Sequence, residues 1–252
     1  MMNRRDAKQQ ADQPDHGPRL FQYGLAEPFI NGAYQGQLTL KRLKQYGNFG
    51  LGAPDLIDGE LTISDGHMYQ TRSDGQTKEA ADQLKTPFAL VTDFKADSAY
   101  AIPGPKDMAA LYLEMAHRLP EPNQMYAIRV TGFFSAISTR AFPRVQNPPY
   151  LPLESLLNTQ QTFKFNDLKG ALIGYYLPGY LSGINITGFH FHFLSRDKQA
   201  GGHVLALRGQ VLKVEVMKLH KVTIEIPQNP EFNNFRFELQ NTPQLKKVEK
   251  GK

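Results

Sequence analysis

The chain has 252 residues, 40% of them hydrophobic and 21% charged, which is enough to bury a core as one large domain or two small ones. Its formal charge of +5 sits in the tails, on Arg4, Arg5, Lys8 and Arg19 at one end and Lys246, Lys247, Lys250 and Lys252 at the other. The nearly neutral body argues against a nucleic-acid partner, and the tails read as solvated. Cysteine is absent, which excludes disulfides, thiolate metal ligands and cysteine nucleophiles.

Residues 1–19, "MMNRRDAKQQADQPDHGPR", are polar and lack the apolar run of a secretory signal, so they read as a disordered lead-in. The first helix falls in "LTLKRLKQYGNFG", with Thr39 as cap, Leu40 and Leu43 on one face and Gly47 as the stop. Next, "LIDGELTISDGHMYQTRSDGQ" alternates around Asp65-Gly66, a pair suited to a tight hairpin, and puts Glu60 near the start of a strand. "TPFALVTDF" is a further strand. "PKDMAALYLEMAHRL" carries Met108, Leu111, Tyr112 and Met115 at helical spacing between Pro105 and Pro120. "MYAIRVTGFFSAISTRAF" reads as a long strand, "PRVQNPPYLP" as a bend and "LESLLNTQQTF" as a short helix. From about Asp167 to Leu239 the pattern alternates through several strands. The most apolar window, "ALIGYYLPGYLSGINI", is broken by Pro178, Gly179 and Gly183 and is too short to span a membrane. A soluble cytoplasmic protein is the expectation. Finally, "VTGFFSAISTR" (130–140) aligns with "ITGFHFHFLSR" (186–196) without a gap, a pattern consistent with an internal duplication.

Three of the seven histidines fall in "TGFHFHFLSRDKQAGGHVL". Strand alternation sends His190 and His192 to one face and Phe189, Phe191 and Phe193 to the other. If "RDKQ" closes a hairpin in which Ser195 pairs with Ala200, then His192 pairs with His203, and directly opposed residues share a face. Three neutral imidazoles then converge. That donor set suits Zn²⁺ or another divalent transition metal with a position left open for substrate. His16, His67, His117 and His220 have no partner at ligand spacing and read as structural or surface residues. A cupin-type oxygenase also uses H-x-H, but typically with a Glu four or five residues later, where this chain has Arg196 and Asp197. A helical H-E-x-x-H protease is excluded by the strand pattern.

The block "DLKGALIGYYLPGYLSGINITGFHFHFLSRDKQAGGHVL", with "GNFGLGAPDLIDGELTISDGHMYQTRSDG" and "TGFFSAISTRAFPRVQNPPYLPL", resembles bacterial α-acetolactate decarboxylase from about Phe21 onward. The resemblance implies conversion of 2-acetolactate to (R)-acetoin and CO2, with His190, His192 and His203 as metal ligands and no thiamine diphosphate. It puts the acidic residue of the "D-G-E" hairpin on Glu60, the arginine after the "TGxF" strand on Arg140 and a carboxylate near the C-terminus on Glu249, all three with catalytic roles. It also implies a homodimer. One departure is visible: Ala53 and Pro54 follow "GLG" where Thr-Phe is expected, which removes a hydroxyl from the pocket.

The expected fold is α+β, mostly β. A mixed sheet with helices occupies residues 20–165, an antiparallel sheet or barrel carrying the metal site occupies 166–245, and 246–252 is a basic tail. Two other readings stay open here. One is a cupin-like metal-dependent oxygenase, distinguished by oxygen consumption; the other is a non-catalytic β-rich binding module, distinguished by purification without stoichiometric metal.

Overall fold

The computed structural model describes residues 17–119 and 121–237. In chain order the elements are β1 (Arg19–Tyr23), α1 (Ala26–Ile30), β2 (Leu38–Thr39), α2 (Leu40–Leu43), β3 (Phe49–Ala53), β4 (Glu60–Ser64), β5 (His67–Thr71), β6 (Thr77–Glu79), β7 (Lys85–Thr86), β8 (Phe88–Thr92), β9 (Ser98–Ile102), α3 (Met108–Arg118), β10 (Met125–Ala141), β11 (Gln161–Leu177), β12 (Gly188–Ser195), β13 (Gly201–Leu219), β14 (Lys221–Glu225) and α4 (Pro230–Asn233). The protein is mostly strand, with short helices, as the alternating sequence implied.

Two sheets dominate. The first runs β14-β1-β8-β3-β4-β5-β6 and is mixed, because β1 and β14 pair in parallel while the other ladders are antiparallel. The second runs β10-β11-β12-β13-β9 and closes on itself through β10 and β13, forming a small antiparallel barrel. Sheet membership does not change at residue 165: β9 and β10 belong to the second sheet and β14 returns to the first. Arg19, assigned to the lead-in by its polar surroundings, begins β1.

Strand alternation explains where the cores sit. Inward residues of the barrel, among them Ile128, Val130, Phe134, Leu172, Phe191, Phe193, Leu212 and Val214, form one cluster sealed by Leu111 and Met115 of α3. The barrel's outer face contributes Ala127, Ile173, Tyr175 and Leu194, which pack against Leu20, Phe49, Leu51 and Phe88 of the first sheet. Tyr175 adds a hydrogen bond across this layer, donating to the Phe49 carbonyl at 3.1 Å. Burial of that hydroxyl is tolerated because it finds an acceptor. A third cluster on the far face of the first sheet holds Leu40 and Leu43 of α2.

Local signals account for most element ends. Thr39 accepts from the Arg42 amide at the start of α2, Asp107 accepts from Ala110 at the start of α3, and Asn229 caps α4. In the β4–β5 hairpin, Asp65 (φ 54°) and Gly66 (φ 83°) both take the left-handed backbone that a two-residue turn requires. The segment read as a short helix after the Pro-rich bend is a 3₁₀ stretch, Leu153–Thr159, and β11 begins at Gln161 rather than near Asp167. α4 interrupts the strands expected up to Leu239, where Pro230 supplies the fixed φ of a first helical turn. The aligned repeats, 130–140 and 186–196, lie largely on β10 and β12, the two strands that flank β11.

Candidate active site

The β12–β13 hairpin has the register that the sequence predicts: His192 faces His203, Phe193 faces Gly202 and Leu194 faces Gly201. Ser195, fully buried, fixes the turn. Its hydroxyl donates to Asp197 at 2.6 Å and accepts from the Ala200 amide at 2.9 Å and the Gln199 amide at 3.1 Å. β10 then places Arg140 opposite His203. A register shift between Phe134 and Ala136 leaves Ser135 as an extra residue, and its hydroxyl donates to the Arg208 carbonyl at 3.1 Å. Such a bulge re-aims the side chains beyond it. Phe134 therefore points into the barrel, whereas Arg140, six residues on, points out toward the first sheet.

His190, His192 and His203 present ring nitrogens that all lie within 4.8 Å of one another. Ring centroids are 5.0 to 5.5 Å apart. His192 Nδ1 is 2.8 Å from the Leu61 carbonyl, an acceptor, so the proton is held on Nδ1 and Nε2 is free to ligate. His190 Nε2 approaches His203 Nδ1 at 3.2 Å, while His190 Nδ1 is buried without a hydrogen-bond partner among the described residues. Burial pushes His190 down to about 4, helped by the Arg140 charge, and holds His192 and His203 well below the usual imidazole range. All three are therefore neutral near pH 7, the form in which imidazole binds a metal ion. Among the described residues they form the one such group, and His67, His117 and His220 stand apart from it. His67 pairs instead with Glu79 at the surface, 2.9 Å away. His16 lies outside the described residues.

Glu60, at the start of β4, extends the cluster. One carboxylate oxygen is 3.3 Å from His192 Nε2 and the other 3.5 Å from Arg140 Nη1. Burial raises its pKa to about 7 against the lowering effect of Arg140. Among the described residues Arg140 makes few other contacts: Nη1 is buried without a hydrogen bond, and the guanidinium lies 4.6 Å over the Phe142 ring. Phe29, Leu51, Ala53, Ile57, Phe88, Phe142, Leu153 and Ile186 wall the cavity. A charged cluster is thus enclosed by apolar side chains, which strengthens each electrostatic contact within.

Ala53 puts a methyl group on the cavity wall, so this position offers no side-chain hydroxyl. Its carbonyl is occupied, accepting from Thr86 at 2.7 Å. Glu249 lies outside the described residues. Phe142 and the Leu61 carbonyl were not singled out by the sequence reading. Phe142 was accessible in principle, since it stands two residues beyond Arg140 and so shares its strand face. A backbone carbonyl leaves no such trace.

The alpha-acetolactate decarboxylase family model matches residues 20–239. Among curated relatives, the alpha-acetolactate decarboxylase of Brevibacillus brevis is 34% identical over 230 residues, covering 91% of this chain and 80% of that protein. The Methanosarcina mazei protein of the same name is 34% identical over 231 residues, covering 92% and 80%. The crystal structure of alpha-acetolactate decarboxylase from Bacillus subtilis strain 168 superposes with a TM-score of 0.83 at 30% identity, over 92% of this chain and 97% of that one. These matches set aside the oxygenase and binding-module readings. Sequence, fold and cavity agree, and the chain belongs to the alpha-acetolactate decarboxylase family.

Proposed function

We propose that the histidine-lined cavity is where this chain decarboxylates 2-acetolactate, with His190, His192 and His203 holding a divalent metal ion and Glu60 and Arg140 doing the proton and charge work. The activity follows from family membership: the enzyme is a carboxy-lyase that converts acetolactate to acetoin. One observation carries the site assignment, the convergence of three neutral buried imidazoles beside a carboxylate and an arginine.

The residues present fit a metal ion. Three nitrogen donors at mutual reach, the unpartnered His190 Nδ1 and the lack of thiolates favour a borderline cation, and zinc is our assignment. When bound, it supplies Lewis-acid chemistry at the substrate oxygens. Arg140, permanently cationic and forked, orients the carboxylate that leaves as CO2. The electron pair of the broken carbon–carbon bond stays on the substrate as an enediolate, next to the guanidinium charge. Glu60 takes the substrate hydroxyl proton and afterwards returns it to carbon, and the alkoxide left on the product takes its proton from solvent, the one proton that decarboxylation consumes. Arg140 cannot fill that role, because arginine does not give up its proton in proteins. A carboxyl held near 7 is matched to transfer in either direction. Delivery from one wall of the cavity yields a single configuration, which we assign as (R)-acetoin.

Elemental analysis tests the ligand set: the parent chain is expected to carry about one equivalent of metal and His192→Ala much less, and undiminished metal in that variant removes the assignment. A homodimer and a cytoplasmic location complete the proposal, to be checked by sedimentation and cell fractionation. No helix among the described residues is long and apolar enough to cross a membrane.

A further inference from the structure

We propose that the cationic groove at the far end of the barrel's outer face is a second binding site, one that takes a small soluble anion bearing two or more negative charges on oxygen. The groove has a volume of about 500 Å³ and lies between the β4–β5 turn and strands β10, β11 and β12. Small residues, Thr131, Gly132, Gly170 and Ala171, line it where β10 and β11 pair, which leaves room between the longer side chains. Arg129, Lys169, Arg196 and Lys198 line it, with Asp65 as the single carboxylate among the lining residues.

The cations are arranged to receive a charge rather than to neutralise one another's neighbours. Arg129 is held rigidly, its guanidinium 5.5 Å over Phe49 and 5.0 Å over Phe94, with one nitrogen donating to Asp65 at 2.9 Å. Its Nε is buried and has no hydrogen-bond partner among the described residues. A stacked, pre-oriented guanidinium loses little further entropy when it binds an oxyanion. Lys198 sits in the left-handed turn of the β12–β13 hairpin with its ammonium 5.6 Å from the Tyr69 ring. The Arg196 amide donates to the Lys169 carbonyl at 2.8 Å, which sets their side chains on adjacent rungs, and neither side chain has an ion pair among the described residues. Elsewhere the surface pairs many of its cations, as in Arg42–Glu225, Lys44–Asp82 and Lys218–Glu121. Asp197, which lines the adjoining depression with Lys169 and Arg196, accepts from Ser195 and Gln199 within its own turn.

An anion with two or more negative charges matches this arrangement, because Asp65 and the adjoining Asp197 offset two of four positive charges and the two that remain are spread across the groove. The walls are also the continuations of the strands that carry the candidate active site: β4 runs from Glu60 to Ser64 beside Asp65, and β12 from His190 and His192 to Ser195 beside Arg196.

Isothermal titration of the full chain with inorganic phosphate and, separately, succinate, each against sodium chloride at matched ionic strength, tests the proposal and separates tetrahedral from dicarboxylate ligands. Saturable binding of at least one of them at one site per chain is expected, weakened roughly tenfold or more in Lys169→Gln/Arg196→Gln, the scale of losing charge-assisted hydrogen bonds, and unchanged in Lys164→Gln, an exposed lysine on the same strand outside the groove. A second variant, Thr131→Glu, keeps every cation and puts a carboxylate among them, and it should abolish binding while circular dichroism reports the parent fold. Heats no different from sodium chloride, or equal affinity in the parent and the double variant, or an equal loss in Lys164→Gln, would overturn it.

Discussion

Phe142 is the residue through which the packing of the cavity wall reaches the chemistry. It is 3% exposed, belongs to the core between the barrel and the first sheet, and stacks beneath the Arg140 guanidinium at 4.6 Å. Among the described residues, Glu60 at 3.5 Å is the other group that holds the charge in place. A desolvated cation–π contact contributes about 2 kcal/mol, and about 1.4 kcal/mol is a factor of ten in rate. If that orientation is expressed in the transition state, Phe142→Leu lowers kcat/KM by roughly 10- to 30-fold. Leucine retains much of the buried volume, so its stability cost stays below the roughly 3–5 kcal/mol of a full Phe→Ala truncation. Phe142→Tyr keeps the ring face and should retain most of the activity. The assay is the initial rate of acetoin formation from acetolactate in metal-matched preparations, with thermal unfolding of each variant alongside. A Phe142→Leu rate within about twofold of the parent, or a Phe142→Tyr rate as low as that of Phe142→Leu, refutes the reasoning.

Glu60→Gln and Arg140→Gln should each lower turnover by roughly 10²-fold or more while leaving metal content intact, since they remove a proton carrier and a preorganised charge respectively; near-normal rates in metal-replete protein count against both roles. Ser195→Ala should lower the unfolding free energy by about 1–3 kcal/mol by stranding the Ala200 amide, the Gln199 amide keeping Asp197 as its acceptor, and should also weaken metal retention through His203; a variant with parental stability and metal affinity shows that the turn does not set the hairpin register. Removal of residues 248–252 should slow acetoin formation at matched metal content if the Glu249 carboxylate serves the site, and unchanged activity assigns that residue no catalytic part.

What could be read from the sequence divides along physical lines. The histidine cluster was legible because strand periodicity and hairpin register are both local, and "HFHFLSRDKQAGGH" contains all the information needed to bring His192 opposite His203. The α3 helix and the Asp65-Gly66 turn were legible for the same reason, through spacing and turn chemistry. Sheet membership was not. Pairing β1 with β14 joins residues some two hundred positions apart, and no local pattern encodes that choice. The nature of the 153–159 segment was also hidden, because three leucines in seven residues fit a 3₁₀ stretch as well as an α-helix. Glu60 and Arg140 were found by likeness to a family rather than by periodicity. Their 3.5 Å approach depends on two sheets meeting and on the slip at Ser135, both tertiary events.

The most direct test of the account is acetoin formation by the purified chain from racemic 2-acetolactate, measured by chiral chromatography with the enzyme as isolated, after chelation, and after zinc is restored. The account predicts (R)-acetoin with release of CO2 from the untreated enzyme, loss of that activity on chelation and its return with zinc. Undiminished activity in protein shown by elemental analysis to be metal-free would contradict it.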